Sequence, residues 1–214
     1  MTQKERQERS KREILQAAME EFGNYGYEKV TVESICSRHG ISKGMMYHYY
    51  SNKDELFLLC VQKTFQELKI YVDQQAADLA DQSTIDTIKN FFMIREYYFQ
   101  LHPEQKLIFE NALIRPPKDL ADQIRAMRKP IRETNRKFLS RIVSRMTLRP
   151  GLDPEKVTHY LEGMGEHFWS IAAHCGSEEP YYDIHSMLEA AEELLDMTLF
   201  GILQQTSAEK TMKD

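Results

Sequence analysis

Between Thr31 and Lys53 the chain reads TVESICSRHGISKGMMYHYYSNK, and the side chains with chemistry to offer lie close together there. Lys43 carries an ammonium able to donate to guanine O6 and N7, and Met45 carries a thioether that can rest on a thymine methyl. Gly44, between them, has no side chain and permits close approach. Tyr47, His48 and Tyr49 follow with polar tips at phosphate height. Lys53 adds a cation in the first turn of a later helix, where the dipole disfavours it unless an anion is near. This set suits the major groove of DNA, with Lys43, Gly44 and Met45 reading base edges and Tyr47 and Lys53 holding phosphates.

Two short helices and a tight turn must position these groups. Thr31 is the N-cap of a helix from Val32 to about His39, with Val32, Ile35 and Cys36 on one face at i, i+3, i+4 spacing. Gly40 stops it, Ile41 anchors the turn in the core, and Ser42 caps the second helix. Asn52-Lys53-Asp54-Glu55 reads as a capped start with Glu55 at the N3 position of a capping box. A glycine-centred turn between amphipathic helices also occurs in helical proteins that never meet DNA. Here three helices and their caps agree in register, which favours DNA.

These residues, together with Ile14-Leu15-Gln16-Ala17-Ala18 and Phe22-Gly23-Asn24-Tyr25-Gly26-Tyr27, resemble the N-terminal domain of the TetR/AcrR family of transcriptional regulators. The likeness covers about the first 60 residues; beyond them it is one of helical character and length. Many members carry Tyr-Tyr-His-Phe where this chain has Tyr47-His48-Tyr49-Tyr50. The resemblance implies an all-α protein with an N-terminal three-helix helix-turn-helix DNA-binding domain, residues 1–52. A C-terminal helical ligand-binding and dimerisation domain, residues 53–214, would follow. It further implies a homodimer on a pseudo-palindromic operator, released by an unidentified small-molecule effector and most often a repressor. Thr31, Ser42, Lys43, Gly44, Met45, Tyr47, His48, Tyr49 and Lys53 would face the DNA.

Of the 214 residues 42% are hydrophobic, enough for a real core, and the net charge is −5. Residues 1–53 hold nine Lys/Arg against seven Asp/Glu, whereas residues 54–214 hold nineteen against twenty-six. A mildly basic head on an acidic body favours site-specific over promiscuous nucleic-acid binding. Cys36, Cys60 and Cys175 are odd in number and widely separated, with no CxxC pair and no signal-like N-terminus, so a reducing cytoplasm is expected. The longest apolar stretch, Phe91 to Phe99, is interrupted by Arg95 and Glu96, and no membrane span is expected.

Breakers divide the chain into about nine helices without strands. The first is expected from Ser10 to Asn24, the fourth from Lys53 to about Asp78, and the fifth from after Ser83 to Leu101. The sixth opens at Pro103, the seventh spans Asp119 to Thr147, the eighth Pro154 to Cys175, and the ninth Asp183 to Gln204. Met1 to Arg9 and Thr206 to Asp214 look frayed. The fourth helix joins head to body and is the natural transmission element. Broad apolar bands on the eighth and ninth helices fit a four-helix homodimer interface, or else intramolecular core.

Phe65, Phe92, Phe109, Phe138 and Trp169, with Glu162 and Glu166 among apolar neighbours, are the candidate ligand-binding residues; an aromatic stripe is equally the material of a core. A carboxylate in the cavity would favour a cationic aromatic ligand. The arginines Arg125, Arg128, Arg132, Arg136, Arg141, Arg145 and Arg149 would favour an anion if they faced it, and otherwise form a solvated stripe. His159 and His174 stand about 22 Å apart on an ideal helix, too far to share an ion, so neither a metal nor another cofactor is expected. HExxH, GxSxG and phosphate-loop motifs are missing, and an enzyme is not expected. The rival reading is a helical small-molecule-binding or catalytic protein whose DNA-binding head is unused.

Overall fold

The structure, a computed structural model, describes residues 2–77, 79, 84–174, 196–198 and 200. Among them the chain forms nine α-helices and no strand. They are α1 (Gln3–Lys29), α2 (Val32–His39), α3 (Lys43–Tyr49), α4 (Lys53–Ala77), α5 (Thr84–Leu101), α6 (Pro103–Leu113), α7 (Ala121–Met127), α8 (Lys129–Val143) and α9 (Pro154–His174), with a 3-10 turn at Lys118–Leu120. The all-α expectation is met. None of the described helices is long and apolar enough to cross a membrane.

The helices pack as two units, Met1–Ile70 with Tyr97–Lys129 and Tyr71–Glu96 with Pro130–Asp214. The DNA-facing helices expected within residues 1–52 therefore share a unit with the start of α4 and with α6 and α7.

In the first unit α1 is longer than expected at both ends. Thr2 Oγ1 accepts from the Glu5 amide at 3.2 Å and Glu5 Oε2 accepts from the Thr2 amide at 2.8 Å, a capping box that makes the supposedly frayed residues helical. At the far end Gly26, with φ +74°, kinks α1 beyond Asn24 and turns the Tyr27 amide onto Asn111 Oδ1 at 2.9 Å. Gly23 permits contact between α1 and α6, since a Cβ there would stand 2.2 Å from the Glu104 carbonyl oxygen. Ile14, Ala18, Phe22, Ile35, Leu56 and Phe57 are fully buried, and Phe22 meets Phe57 edge-on at 5.1 Å. Each such phenylalanine contributes about 1.5–3 kcal/mol by leaving water.

Farther along this unit, Phe109 meets Phe65 at 5.9 Å and Phe99 at 4.7 Å. The Tyr98 hydroxyl donates to Gln105 Oε1 at 2.7 Å, and Gln105 Nε2 donates to Glu67 Oε2 at 2.7 Å. Burial pushes the Tyr98 phenol up. Burial also pushes Glu67 up, but hydrogen bonds from Lys63 and Gln105 and the Lys63 charge outweigh it and hold the carboxyl below its ordinary range.

In the second unit Phe91 stacks on Phe138 at 3.7 Å, and Ile131, Leu139, Ile142 and Val143 complete the buried face of α8. The Arg95 guanidinium is buried over the Phe91 ring, donating to Phe91 O at 2.6 Å and Asn135 Oδ1 at 2.6 Å, and desolvation lowers its pKa to about 10.

The single helix expected from Asp119 to Thr147 is instead a 3-10 turn, α7 and α8. The break falls at Arg128 because Pro130 has no amide hydrogen and its ring crowds the carbonyl four residues back, at Ala126. α8 ends at Val143. The arginine stripe is divided with it: Arg125 pairs with Asp122 at 2.9 Å, Arg136 approaches Glu162 at 3.8 Å, and Arg141 donates to the Ala76 carbonyl at 3.3 Å. α9 opens where the sequence places it, Asp153 Oδ1 accepting from the Glu155 and Lys156 amides at 2.7 and 3.1 Å. Cys175 and most of the helix expected from Asp183 to Gln204 lie outside the described residues.

Candidate nucleic-acid interface

The turn between α2 and α3 is built by caps. Thr31 Oγ1 accepts from the Ser34 amide at 3.0 Å, and Ser34 Oγ accepts from the Thr31 amide at 3.1 Å. Gly40 closes α2 at φ +65°, its amide bonding to the Cys36 carbonyl. Ile41 is buried, and Ser42 Oγ accepts from the Met45 amide at 3.1 Å to start α3. α2 is braced on α1 by the buried Glu21 carboxylate, which takes Arg38 Nη1 at 2.9 Å and faces His39 Nε2 at 3.3 Å. This ties the turn to α1, which supports α3 although α3 has only seven residues.

Within α3 one side is core and the other is solvent. Met46 and Tyr50 are buried, the Tyr50 hydroxyl donating to the Lys11 carbonyl at 3.2 Å, and burial raises its pKa. Lys43, Gly44, Tyr47 and His48 are exposed, and Met45 and Tyr49 are half-buried. A Cβ added at Gly44 would meet nothing within 4 Å, so the space over it is open for an incoming molecule. The candidate base-reading turn and the phenol tips thus share the outer surface of one short helix. Tyr47 Oη stands on the most exposed of these rings, at 57% accessibility.

Two cations are placed differently from a bare sequence reading. Lys43 Nζ lies 3.1 Å from Glu33 on α2, an exposed pair that DNA can exchange at little cost. Lys53 Nζ folds back to donate to the Tyr27 and Val30 carbonyls at 3.1 and 3.2 Å and lies over the Tyr27 ring at 4.1 Å. Its charge therefore braces the end of α1 as well as standing at the start of α4. Tyr27 is itself held by Asp54, its hydroxyl donating at 2.7 Å; burial, followed by that hydrogen bond, raises the phenol's pKa. The α4 start is capped by Asn52 Oδ1 on the Glu55 amide at 2.9 Å, while the Glu55 carboxylate reaches the Ser51 amide at 2.7 Å rather than that of Asn52. Glu33 and Tyr27, the partners of these lysines, lie ten and 26 residues away in sequence, and no local pattern points to them.

The candidate ligand-binding residues do not share one place. Phe65 and Phe109 are buried in the first unit and Phe138 in the second, each packed against another ring. Glu162 faces Arg136. The side chains of Phe92, Glu166 and Trp169 lie outside the described residues.

Residues 14–60 match the family model for the bacterial regulatory proteins of the tetR family. Over 107 residues the chain is 32% identical to the HTH-type transcriptional activator FasR of Mycolicibacterium smegmatis, covering 49% of this chain and 48% of that protein. Over 46 residues it is 46% identical to the HTH-type transcriptional repressor AcnR of Corynebacterium jeikeium, covering 22% of this chain and 24% of that one. The chain thus spans about half the length of the first relative and a quarter of the second. Among solved structures, the SmeT–triclosan complex superposes with a TM-score of 0.61 at 19% identity over 92% of each chain, a likeness of fold. The capped helix-turn-helix geometry and the family match fall on the same residues, so residues 14–60 form an N-terminal domain similar to that of the bacterial regulatory proteins of the tetR family.

Proposed function

We propose that the protein is a homodimeric, ligand-responsive transcriptional regulator, most often a repressor, that binds a pseudo-palindromic operator and leaves it when a small molecule enters the helical body. The observation that carries this reading is the outer face of α3. Its residues Lys43, Gly44, Tyr47 and His48 are exposed, Met45 beside them is half-buried, and the open space over Gly44 allows a base edge to come close. Thr31 and Ser42 cap the two helices, and their exposed ends, with Tyr49 and Lys53, serve the phosphate backbone.

The dimer would form through α9 and the segment from Asp183 to Gln204. Tyr160, Met197 and Phe200 support it, being 64%, 68% and 50% exposed on those two stretches. A two-fold pair of heads would meet half-sites about 34 Å apart. An effector held in the helical body, beside Phe65 and Phe109 or beside Phe138 and Glu162, would act through α4, which begins at Lys53 and runs without a break to Ala77. The neighbour of similar fold that is named as a triclosan complex supports a small-molecule site in this reading. The relatives named above include both an activator and a repressor.

Enrichment of duplexes from a random pool tests the proposal. The reading expects an inverted repeat with half-site centres one helical turn apart and two subunits per duplex by sedimentation. A pool that enriches nothing would refute it.

A further inference from the structure

We infer that Lys11 and Arg12 of α1 make a second contact with the sugar-phosphate backbone, one beside each end of the recognition helix. The inference rests on the DNA-binding reading above. Residues 1–13 hold five Lys/Arg against three Asp/Glu, whereas residues 14–53 hold four against four, so the positive excess of the head lies wholly on the first turns of α1. These turns are helical because of the Thr2–Glu5 capping box, and they precede the family-matched region, which begins at residue 14.

Geometry then ties them to α3. Arg12 lines an open groove of about 480 Å³ together with Gln16, His39, Gly40, Ile41 and Met45, so Arg12 borders the same groove as the first turn of α3. Lys11 Nζ lies 6.0 Å from the Tyr49 ring at the other end of α3, and the Lys11 carbonyl holds the Tyr50 hydroxyl. The acidic side chains of the groove already have partners: Glu13 pairs with Arg9 at 2.7 Å, and Glu20 with Gln16 at 3.0 Å and His39 at 3.7 Å. Arg12 is exposed and makes no hydrogen bond or ion pair with the described residues, and Lys11 reaches only Glu8, at 3.9 Å. Lys43 and Lys53, by contrast, already rest on protein acceptors. A helix seated in the major groove has a phosphate strand along each side, so two exposed cations flanking its ends, Lys11 held only by a 3.9 Å surface pair that a phosphate can replace, meet backbone rather than bases.

The test uses a duplex of about 30 bp enriched by the wild-type protein and a scrambled duplex of the same composition. Arg12→Ala and Lys11→Ala should each reduce the slope of log affinity against log salt by about 0.9 and weaken binding roughly eightfold near 0.1 M salt, on both duplexes alike. Arg12→Lys should retain most of the slope, because a phosphate accepts either cation. Both side chains are exposed, and alanine keeps the Lys11 carbonyl that anchors Tyr50, so unfolding midpoints should match wild type. Should they drop, Arg12→Gln and Lys11→Gln give the same reading with the aliphatic stems kept. Unchanged slopes would overturn the inference while leaving the DNA-binding reading standing, and so would a loss confined to the enriched duplex. Failure of the wild-type protein to enrich any duplex would overturn both.

Discussion

The recognition helix and the helical body put their polar chemistry in opposite places. On α3 the groups that suit DNA point outward and do little for stability, while the fold beneath them is set by Met46, Tyr50 and the Thr31, Gly40 and Ser42 caps. In the body the polar groups are inside: Arg95 lies over the Phe91 ring, and Gln105 links Tyr98 to Glu67. A surface reader can change its side chains without disturbing its scaffold. A buried site cannot, because each of its groups also supports packing or satisfies a partner. The contrast teaches that substitutions on α3 should separate function from stability, and substitutions in the body should not.

Phe138→Ala strains this comparison most. Removing the ring that stacks on Phe91 at 3.7 Å should cost about 3–5 kcal/mol by urea unfolding. A loss under about 1 kcal/mol would show that the body tolerates a void there, as a preformed cavity would. Gly23→Ala comes next, since its Cβ would stand 2.2 Å from the Glu104 carbonyl oxygen and would push α1 from α6 at about 1–3 kcal/mol. Wild-type stability in that variant would mean that the two helices separate freely.

Lys53→Ala sharpens the contrast because this residue belongs to both kinds of site. Loss of its bonds to the Tyr27 and Val30 carbonyls should cost about 1–2 kcal/mol. Loss of a phosphate partner should lower the salt slope of DNA binding by about one for every sequence. Reduced stability with an unchanged slope would confine Lys53 to bracing. The smallest effect belongs to Glu67, whose carboxyl is held below its ordinary value of 4.5, so its folded form binds protons less readily than its unfolded form. Its stabilisation is present above that value and is lost as pH falls below it. Glu67→Gln should flatten the acid limb of a stability profile measured from pH about 6 to about 3, and an unaltered limb would remove Glu67 from the account.

The difference between head and body also governs what could be read without coordinates. α2 and α3 begin and end where the sequence places them because Thr31, Gly40 and Ser42 act on their own neighbours. Thr2 and Glu5 carry the same kind of local signal, three residues apart, and so does Pro130, which splits the helix expected from Asp119. The pairing of Lys53 with Tyr27, the contact of Gly23 with Glu104 and the groove joining Arg12 to Met45 arise from packing between distant segments. No pattern along the chain encodes them. The aromatic candidates show the same limit, for Phe65 and Phe138 are alike in sequence character and fall in different units.

The most direct test of the central claim, that α3 reads DNA with a surface the fold does not need, is a paired titration of wild type and Gly44→Val. Because nothing stands within 4 Å of a Cβ at Gly44, the variant should melt like wild type. It should bind the enriched duplex about 100-fold more weakly, while its affinity for scrambled DNA stays nearly unchanged. A stable Gly44→Val protein that binds the enriched duplex as tightly as wild type would contradict the account.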